Sequence, residues 1–500
     1  IWFIRHTLYL KSFGIPGPFQ FAFFGQLANT FTLVRNRDRF LHLVQDNFKV
    51  YGDTFCLLPF SGPARLAFTV DPQVIEFMLT QPDVFIKGTL FQTNFEELLG
   101  GGIFNSNFQA WQSQRKTMSH VFKVRNIRAM VNIFHKHIDH FIDKLCCDMS
   151  NDGTLDVEAQ QLYMRLTLDA ITEIGFGYKM NSIDQQHPFA KAFDAAQQTT
   201  IVRFQLPWIR ALPKGSLRRY LFESERTLHS SVTLIDSVVQ EIIDLRRRKG
   251  NHLSSSSSSD DEKPVDLLSR YFDLEKEDPT LKFSDQHLCD FIKNALVAGR
   301  DTTATSLLWL TFSLATNPTV YEKLSALVKE KFPDPNYHPN YDEIIGFTYL
   351  RAVIDEVLRL YPAVAIDPKQ YVGEKPLDLP NGMKLQPGTV LMWCAYAQGR
   401  NPDVWDAPDE FRPERWIDFD KYNGGKQLDS PWRYTPFQKG RRQCLGIQFA
   451  KVEIGLVVTR LLQNNIRFEY KHKAMPRYQT LVTLNAPDGV PITFIKDQNK

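Results

Sequence analysis

Residues 436–462 read PFQKGRRQCLGIQFAKVEIGLVVTRLL. From Ile447 onward apolar residues recur at three/four spacing, which predicts an amphipathic helix. Cys444 then sits at a helix N-terminus, where backbone N–H groups and the helix dipole stabilise a thiolate. Arg441 and Arg442 add positive charge, and Phe437 is placed to cover one side. Gly440 and Gly446 flank the cysteine and permit close approach of a bulky planar partner. A thiolate in such a turn suits a nucleophile or a metal ligand. A nucleophile needs a histidine base, and none lies nearby in the chain.

A second stretch, NALVAGRDTTATSLLWL at 294–310, is apolar on both sides of a polar centre. It belongs to a predicted helix from near Asp285 to near Thr316, bounded by Ser284 and by Asn317-Pro318. At roughly 30 residues the helix is about 45 Å long and crosses a whole domain. Glycine and threonine weaken its middle, and a carboxylate there costs several kcal/mol unless paired. Arg300 is expected to point away from Asp301, towards solvent or a salt-bridge partner, and to stay outside the chemistry.

The rest of the chain fits one mainly α domain with small β-sheets (α+β). The pattern is mostly helical from about 107 to 360. Strand-like runs occupy 54–58 and 65–69, followed by a helix with Asp71 as N-cap and Pro72 in its first turn. A late hairpin is predicted at 480–495, turning at Pro487-Asp488-Gly489. Residues 250–264 are a solvated serine-rich loop. Residues 1–25 read either as the trailing part of a membrane anchor with a proline hinge or as an ordinary first helix, and residues 26–500 as a single domain. Formal net charge is +3, which disfavours nucleic-acid binding by bulk charge. The six cysteines show no CxxC spacing, so neither a disulfide framework nor a structural zinc site is expected.

These motifs together resemble the heme-thiolate monooxygenases, the cytochromes P-450. Phe437, Gly440, Arg442, Cys444 and Gly446 match the family's ligand loop, FxxGxRxCxG. A thiolate ligand to heme iron needs no base, only shielding and N–H donors. EVLRLYP at 356–362 matches ExxR through Glu356 and Arg359, and FRPERW at 411–416 supplies Arg415. The resemblance makes these three a buried structural lock. Trp111 and Arg115, in AWQSQRK, match WxxxR and are expected beside a heme propionate, with Arg442 as a second partner and Lys369 as a third. AGRDTT at 298–303 matches the distal helix, with Asp301 and Thr302 as the acid–alcohol pair delivering protons and Gly299 making room beside oxygen.

The resemblance implies heme b (iron protoporphyrin IX), O2, and NAD(P)H-derived electrons from a separate flavoprotein reductase, with cytochrome b5 as a further donor. Lys439, Arg441 and Arg442, with Lys116, Lys123 and Arg125, form a basic patch for an acidic partner. The nearest likeness is to microsomal fatty-acid and alkane hydroxylases, on the cytosolic face of the endoplasmic reticulum membrane. The expected substrate wall comprises Phe91, Phe95, Leu99, Val297, Ala298, Thr302, Val364, Ala365 and Leu484. A bulkier sterol or xenobiotic substrate, and a peroxide-driven or isomerase enzyme, are the alternatives. Ala365 departs from the proline that many long-chain hydroxylases carry there.

Overall fold

The long helix around the polar interruption is the axis of the molecule. A computed structural model describes residues 39–57, 66–205, 209, 212, 215–250, 266–278, 282–423, 428–480 and 482–496. The proposed anchor remnant, the loop at 251–264 and the strand ends at 58 and 65 lie outside those residues.

The helices that position the site, numbered along the chain, begin with α1 (Pro72–Thr80), α2 (Gly88–Leu99), α3 (Phe108–Ser119) and α4 (Val124–Asp148). They continue with α5 (Ala159–Phe176), α6 (Pro188–Gln205), α7 (Glu223–Gly250) and α8 (Asp285–Leu296). Then follow α9 (Thr302–Thr316), α10 (Thr348–Leu360) and α11 (Ile447–Gln463). Between α8 and α9, residues Val297–Asp301 form one π turn, so the predicted helix is continuous but not uniformly α. Its ends are as expected. The Ser284 hydroxyl accepts from His287 N–H at 3.2 Å, and Asn317-Pro318 ends α9 and begins the next helix. Residues Thr303–Leu314 of α9 are buried all round, the signature of a helix through a core rather than on its surface. Asp71 caps α1, its carboxylate accepting from Gln73 N–H at 2.9 Å.

The larger sheet runs β1 (Thr54–Leu57), β2 (Leu66–Thr69), β8 (Val390–Cys394), β5 (Ile366–Tyr371), β3 (Phe85–Ile86). It covers a small apolar cluster that includes Val74, Leu79, Leu391 and Trp393. Strands β6 (Leu377–Asp378) and β7 (Lys384–Leu385) pair with each other. A second sheet joins β4 (Thr154–Glu158), β12 (Pro491–Lys496) and β9 (Ile466–Glu469).

The late hairpin is not the one expected. β10 (Gln479–Thr480) pairs with β11 (Leu484–Asn485), and the turn lies between them. The chain does reverse at 487–489, with Gly489 at φ +74, but β12 then leaves for β4 and β9. Glu158 is the physical reason. Its carboxylate accepts from Val490 N–H at 3.1 Å, and Val490 C=O accepts from Ala159 N–H at 3.1 Å. A Cβ on Gly489 would lie 2.4 Å from Glu158 Cγ, so the turn is seated on the β4–α5 junction.

Polar residues on α8 hold the loop before α3. Asp290 accepts from Gly101 N–H at 2.8 Å, and Asn294 accepts from Phe104 N–H at 3.1 Å while donating to Leu99 C=O at 2.8 Å. A Cβ on Gly102 would sit 1.9 Å from Asn294 Nδ2. The GGG of ELLGGGIFN therefore serves close approach to this helix, which fixes where Trp111 stands.

Candidate heme-thiolate site

Cys444 lies between a short 3-10 turn, Gly440–Arg442, and α11. Its N–H donates to Phe437 C=O at 2.9 Å, which closes the loop. Gly440 adopts φ +68, and a Cβ there would meet Leu79 C=O at 2.5 Å. This glycine is needed by α1, not by a planar ligand, which corrects the expectation. Gly446 does leave its space open: a Cβ would find Cys444 Sγ and Phe122, both at 3.8 Å.

The helix starts three residues beyond the cysteine, so its dipole is not centred on the sulfur. Burial pushes the Cys444 thiol up, against the Gly446 N–H and the Arg115 charge, which favour thiolate. The expected lowering by the protein alone is therefore not found. Surface accessibility and depth differ here: the residue is accessible, yet protein surrounds it closely enough for desolvation to win. A cation at sulfur reverses that order.

Trp111 gathers the cations. The Arg442 guanidinium lies 4.5 Å from its ring centroid and that of Arg115 5.7 Å. Arg442 donates to Ser106 C=O at 3.1 Å and to Asn107 Oδ1 at 3.0 Å, but its buried Nε has no acceptor among the described residues. Lys369 is 2 % exposed, and its Nζ is 3.2 Å from Asp367. Asp367 also takes Lys87 Nζ at 2.9 Å and the Gln438 amide. Burial pushes the Lys369 ammonium down to about 7; Asp367 opposes that fall, while Lys87 and Arg442 add to it. Burial likewise brings Arg442 down to about 10. Among the described residues Arg115, Arg442, Lys369 and Lys87 thus have one carboxylate between them, Asp367. A cluster of that kind, half of it buried and half partly buried, is short of counter-anions, and the two carboxylates of a heme fit it. Lys87 and Gln438 were not legible in sequence; a lysine in VFIKGTLF carries no pattern that separates it from a surface lysine.

The π turn carries Asp301 into full burial. Its carboxylate accepts from Gln197 Nε2 at 2.7 Å and from Arg300 Nη1 at 2.9 Å. Arg300 also meets Asp194 at 2.7 Å. Arg300 is 1 % exposed, so it does not reach solvent as one alternative had it. Its ion-pair partners are Asp194 and its own neighbour. Burial pushes Asp301 up to about 6, with Asp194 adding to the rise and Arg300 opposing it. The native state therefore holds a proton, between pH 3.8 and about 6, that the unfolded chain has released. Stability from this group is present at the acid end and lost as pH rises through about 6. Urea denaturation from pH 4 to 7 is expected to show that slope in the wild type and its absence in Asp301→Asn.

The Thr302 hydroxyl donates to Ala298 C=O at 2.5 Å, and the Thr167 hydroxyl to Arg300 C=O at 3.0 Å. These hydroxyls engage carbonyls where the ladder changes register. A Cβ on Gly299 would strike Ile171 of α5 at 2.7 Å. That glycine makes room for a neighbouring helix, not for oxygen. Glu453 on α11 was also missed. It is buried, burial raises its carboxyl well above the usual carboxylate range against a hydrogen bond from Thr303, and its Oε2 has no partner among the described residues.

Of the predicted substrate wall, Phe91 and Phe95 pack with tilted rings, centroids 4.6 Å apart, and Phe95 meets Phe204 of α6 at 5.7 Å. Leu99, Val297, Ala365 and Leu484 are buried, while Ala298, Thr302 and Val364 are partly accessible. The lock is assembled. Glu356 takes Arg359 Nε and Nη2 at 2.8 Å each, Arg415 Nε at 3.0 Å, Trp416 Nε1 at 2.9 Å and Arg412 N–H at 2.8 Å.

A model of the Cytochrome P450 family matches residues 15–490. The chain belongs to that family. Cytochrome P450 704B1 of Arabidopsis thaliana is 31% identical over 481 residues, covering 87% of each chain. Cytochrome P450 86B1 of the same plant is 31% identical, over 89% of this chain and 81% of its own. Cytochrome P450 monooxygenase cyp1 of Mycosarcoma maydis is 28% identical, over 86% and 66%. The crystal structure of the cytochrome P450DA heme domain superposes with a TM-score of 0.79, covering 97% of this chain and 98% of that one. At 21% identity it speaks for the fold alone: the mainly α architecture with small sheets is the P450 fold. As a P450 the protein is a monooxygenase using heme, O2, a redox partner and an apolar substrate. No described helix is long and apolar enough to cross a membrane.

Proposed function

We propose that the protein hydroxylates a long-chain fatty acid or similar lipid, with heme b ligated by Cys444. The observation that carries the heme reading is the surplus of cations near Trp111, with Lys87 and Lys369 buried and Arg115 and Arg442 half-buried, set beside the accessible Cys444. Phe437 and Gly446 flank the sulfur. Trp111, Arg115, Arg442, Lys369 and Lys87 hold the propionates by charge-assisted hydrogen bonds. Bound heme supplies O2 binding and reductive activation, and one oxygen atom enters a C–H bond while the other leaves as water. Glu356, Arg359 and Arg415 keep the ligand-loop side in place and take no part in the chemistry.

Asp301 and Thr302 bring the protons. A carboxyl near 6 exchanges protons readily at neutral pH. The Thr302 oxygen donates to Ala298 and keeps acceptor capacity for a water. Thr302→Ala is expected to keep heme and substrate binding but to lower product per O2 consumed by about tenfold or more. Oxygen-electrode and product assays measure this, and coupled turnover in the variant would remove the role.

The lipid assignment draws on the likeness to microsomal fatty-acid hydroxylases and on the Phe91–Phe95–Phe204 cluster. Electrons arrive from a flavoprotein reductase fed by NAD(P)H, with cytochrome b5 as auxiliary donor, over the basic patch around Lys439 and Arg441. The endoplasmic reticulum membrane surface is the assigned location, and residues 26–500 are taken as one heme-binding domain. The testing experiment is optical. Reduced protein with CO should give the red-shifted Soret band of thiolate ligation, and laurate should shift the ferric spin state. Steroids or aromatics shifting it where fatty acids do not would replace the substrate class.

A further inference from the structure

The backbone of Leu484 is held on both sides. Its N–H donates to Ala363 C=O at 2.9 Å. Its C=O accepts from the indole Nε1 of Trp309, also at 2.9 Å. Trp309 is fully buried on α9, about two helical turns beyond Thr302. Its ring stacks on Tyr361 with centroids 4.7 Å apart and planes 14° apart, and it meets Tyr478 edge-on at 5.6 Å. The β10–β11 pair is two residues long on each side, too short to hold its own place. One indole therefore joins α9, the 361–365 segment and the hairpin that carries Leu484.

We infer that Trp309 is a positioning residue that fixes where on the substrate oxygen is inserted, by holding Leu484 against the distal helix and the Ala363–Ala365 segment. This rests on the proposed assignment of Val364, Ala365 and Leu484 to the substrate wall. Without the indole N–H, a buried carbonyl loses its donor, and the hairpin is free to shift relative to Thr302. Leu484 then no longer restricts which carbon approaches.

The test compares wild-type holoenzyme, Trp309→Phe, and a protein carrying 3-benzothienylalanine at 309, which keeps the indole shape and lacks the N–H. Heme content and thermal midpoint are expected to stay near wild type in the benzothienyl protein. Laurate affinity by spin-state titration and the ratio of products hydroxylated at adjacent carbons are each expected to change about fivefold, the scale of one hydrogen bond. Unchanged affinity and product ratio in that protein would overturn the inference. So would its failure to take up heme, because the N–H would then serve folding. If Trp309→Phe alone misfolds, the benzothienyl protein decides. If laurate leaves wild type unshifted, the lipid reading fails separately. Trp309 is then judged by the discrimination between 1- and 4-phenylimidazole, expected to change about fivefold if the inference holds and to stay constant if it does not.

Discussion

Glu356→Ala is expected to cost about 3–5 kcal/mol of stability, because two buried guanidinium groups lose their shared carboxylate. Glu356, Arg359 and Arg415 are all fully buried. Burial alone would raise the Glu356 carboxyl, yet the charge of Arg359, its hydrogen bonds and Arg415 hold it below the usual range. Arg359 further donates to the carbonyls of Gly399, Pro408 and Glu410, and Arg415 to Asp406 C=O and Asn423. Removing the carboxylate would strand charges that tie helix α10 to the strand of chain leading towards the ligand loop. Domains of ordinary stability have about 5–15 kcal/mol in total, so heme uptake should fall with it. Urea midpoints of apo- and holoprotein measure the effect. A loss below about 1 kcal/mol would make the network no stronger than an exposed pair.

Cys444→Ala is expected to abolish the red-shifted CO band and to reduce turnover at least about a hundredfold, or roughly 2.7 kcal/mol of transition-state stabilisation. The fold should survive, since Cys444 contributes to closure of the loop through its backbone N–H, which the alanine keeps. Circular dichroism and heme titration of the variant separate the two effects. A thiolate-type spectrum in Cys444→Ala would require another ligand, and Cys394 and Cys289 are poor candidates: both are buried, and burial pushes each thiol up to about 12.

Much of this arrangement was legible because the motifs are local. Glu356 and Arg359 sit one turn apart on α10, and the ligand loop occupies ten consecutive positions, so order and type sufficed. Long-range partners were not legible. Asp301 finds Gln197 and Arg300 finds Asp194 because the fold brings those side chains of α6 to the π turn. Lys87 reaches Asp367 across 280 residues of chain, and no spacing rule reaches that far. Gly299 and Gly440 were read as making space for ligands because a missing side chain does not say which neighbour requires it; Ile171 and Leu79 supply the answer. The hairpin at 480–495 failed since a turn signal reports a reversal, not the strand on the other side. Arg300 was set aside on the geometry of a regular α-helix, which this segment is not.

That irregularity has a consequence for reading the chain. A π turn holds one more residue than the α turn it replaces, equivalent to about 100° of helical phase. The helical wheels of α8 and α9 are therefore separate instruments with an offset between them. A single wheel drawn from Asp285 to Thr316 would assign Asp290, Asn294 and Trp309 to the wrong relative bearings. Loss of one residue within Val297–Asp301 is expected to close the π turn to an ordinary α turn, keeping the face bearing Asp290 and Asn294 in its present relation to the face bearing Trp309 while removing the extra residue at Asp301.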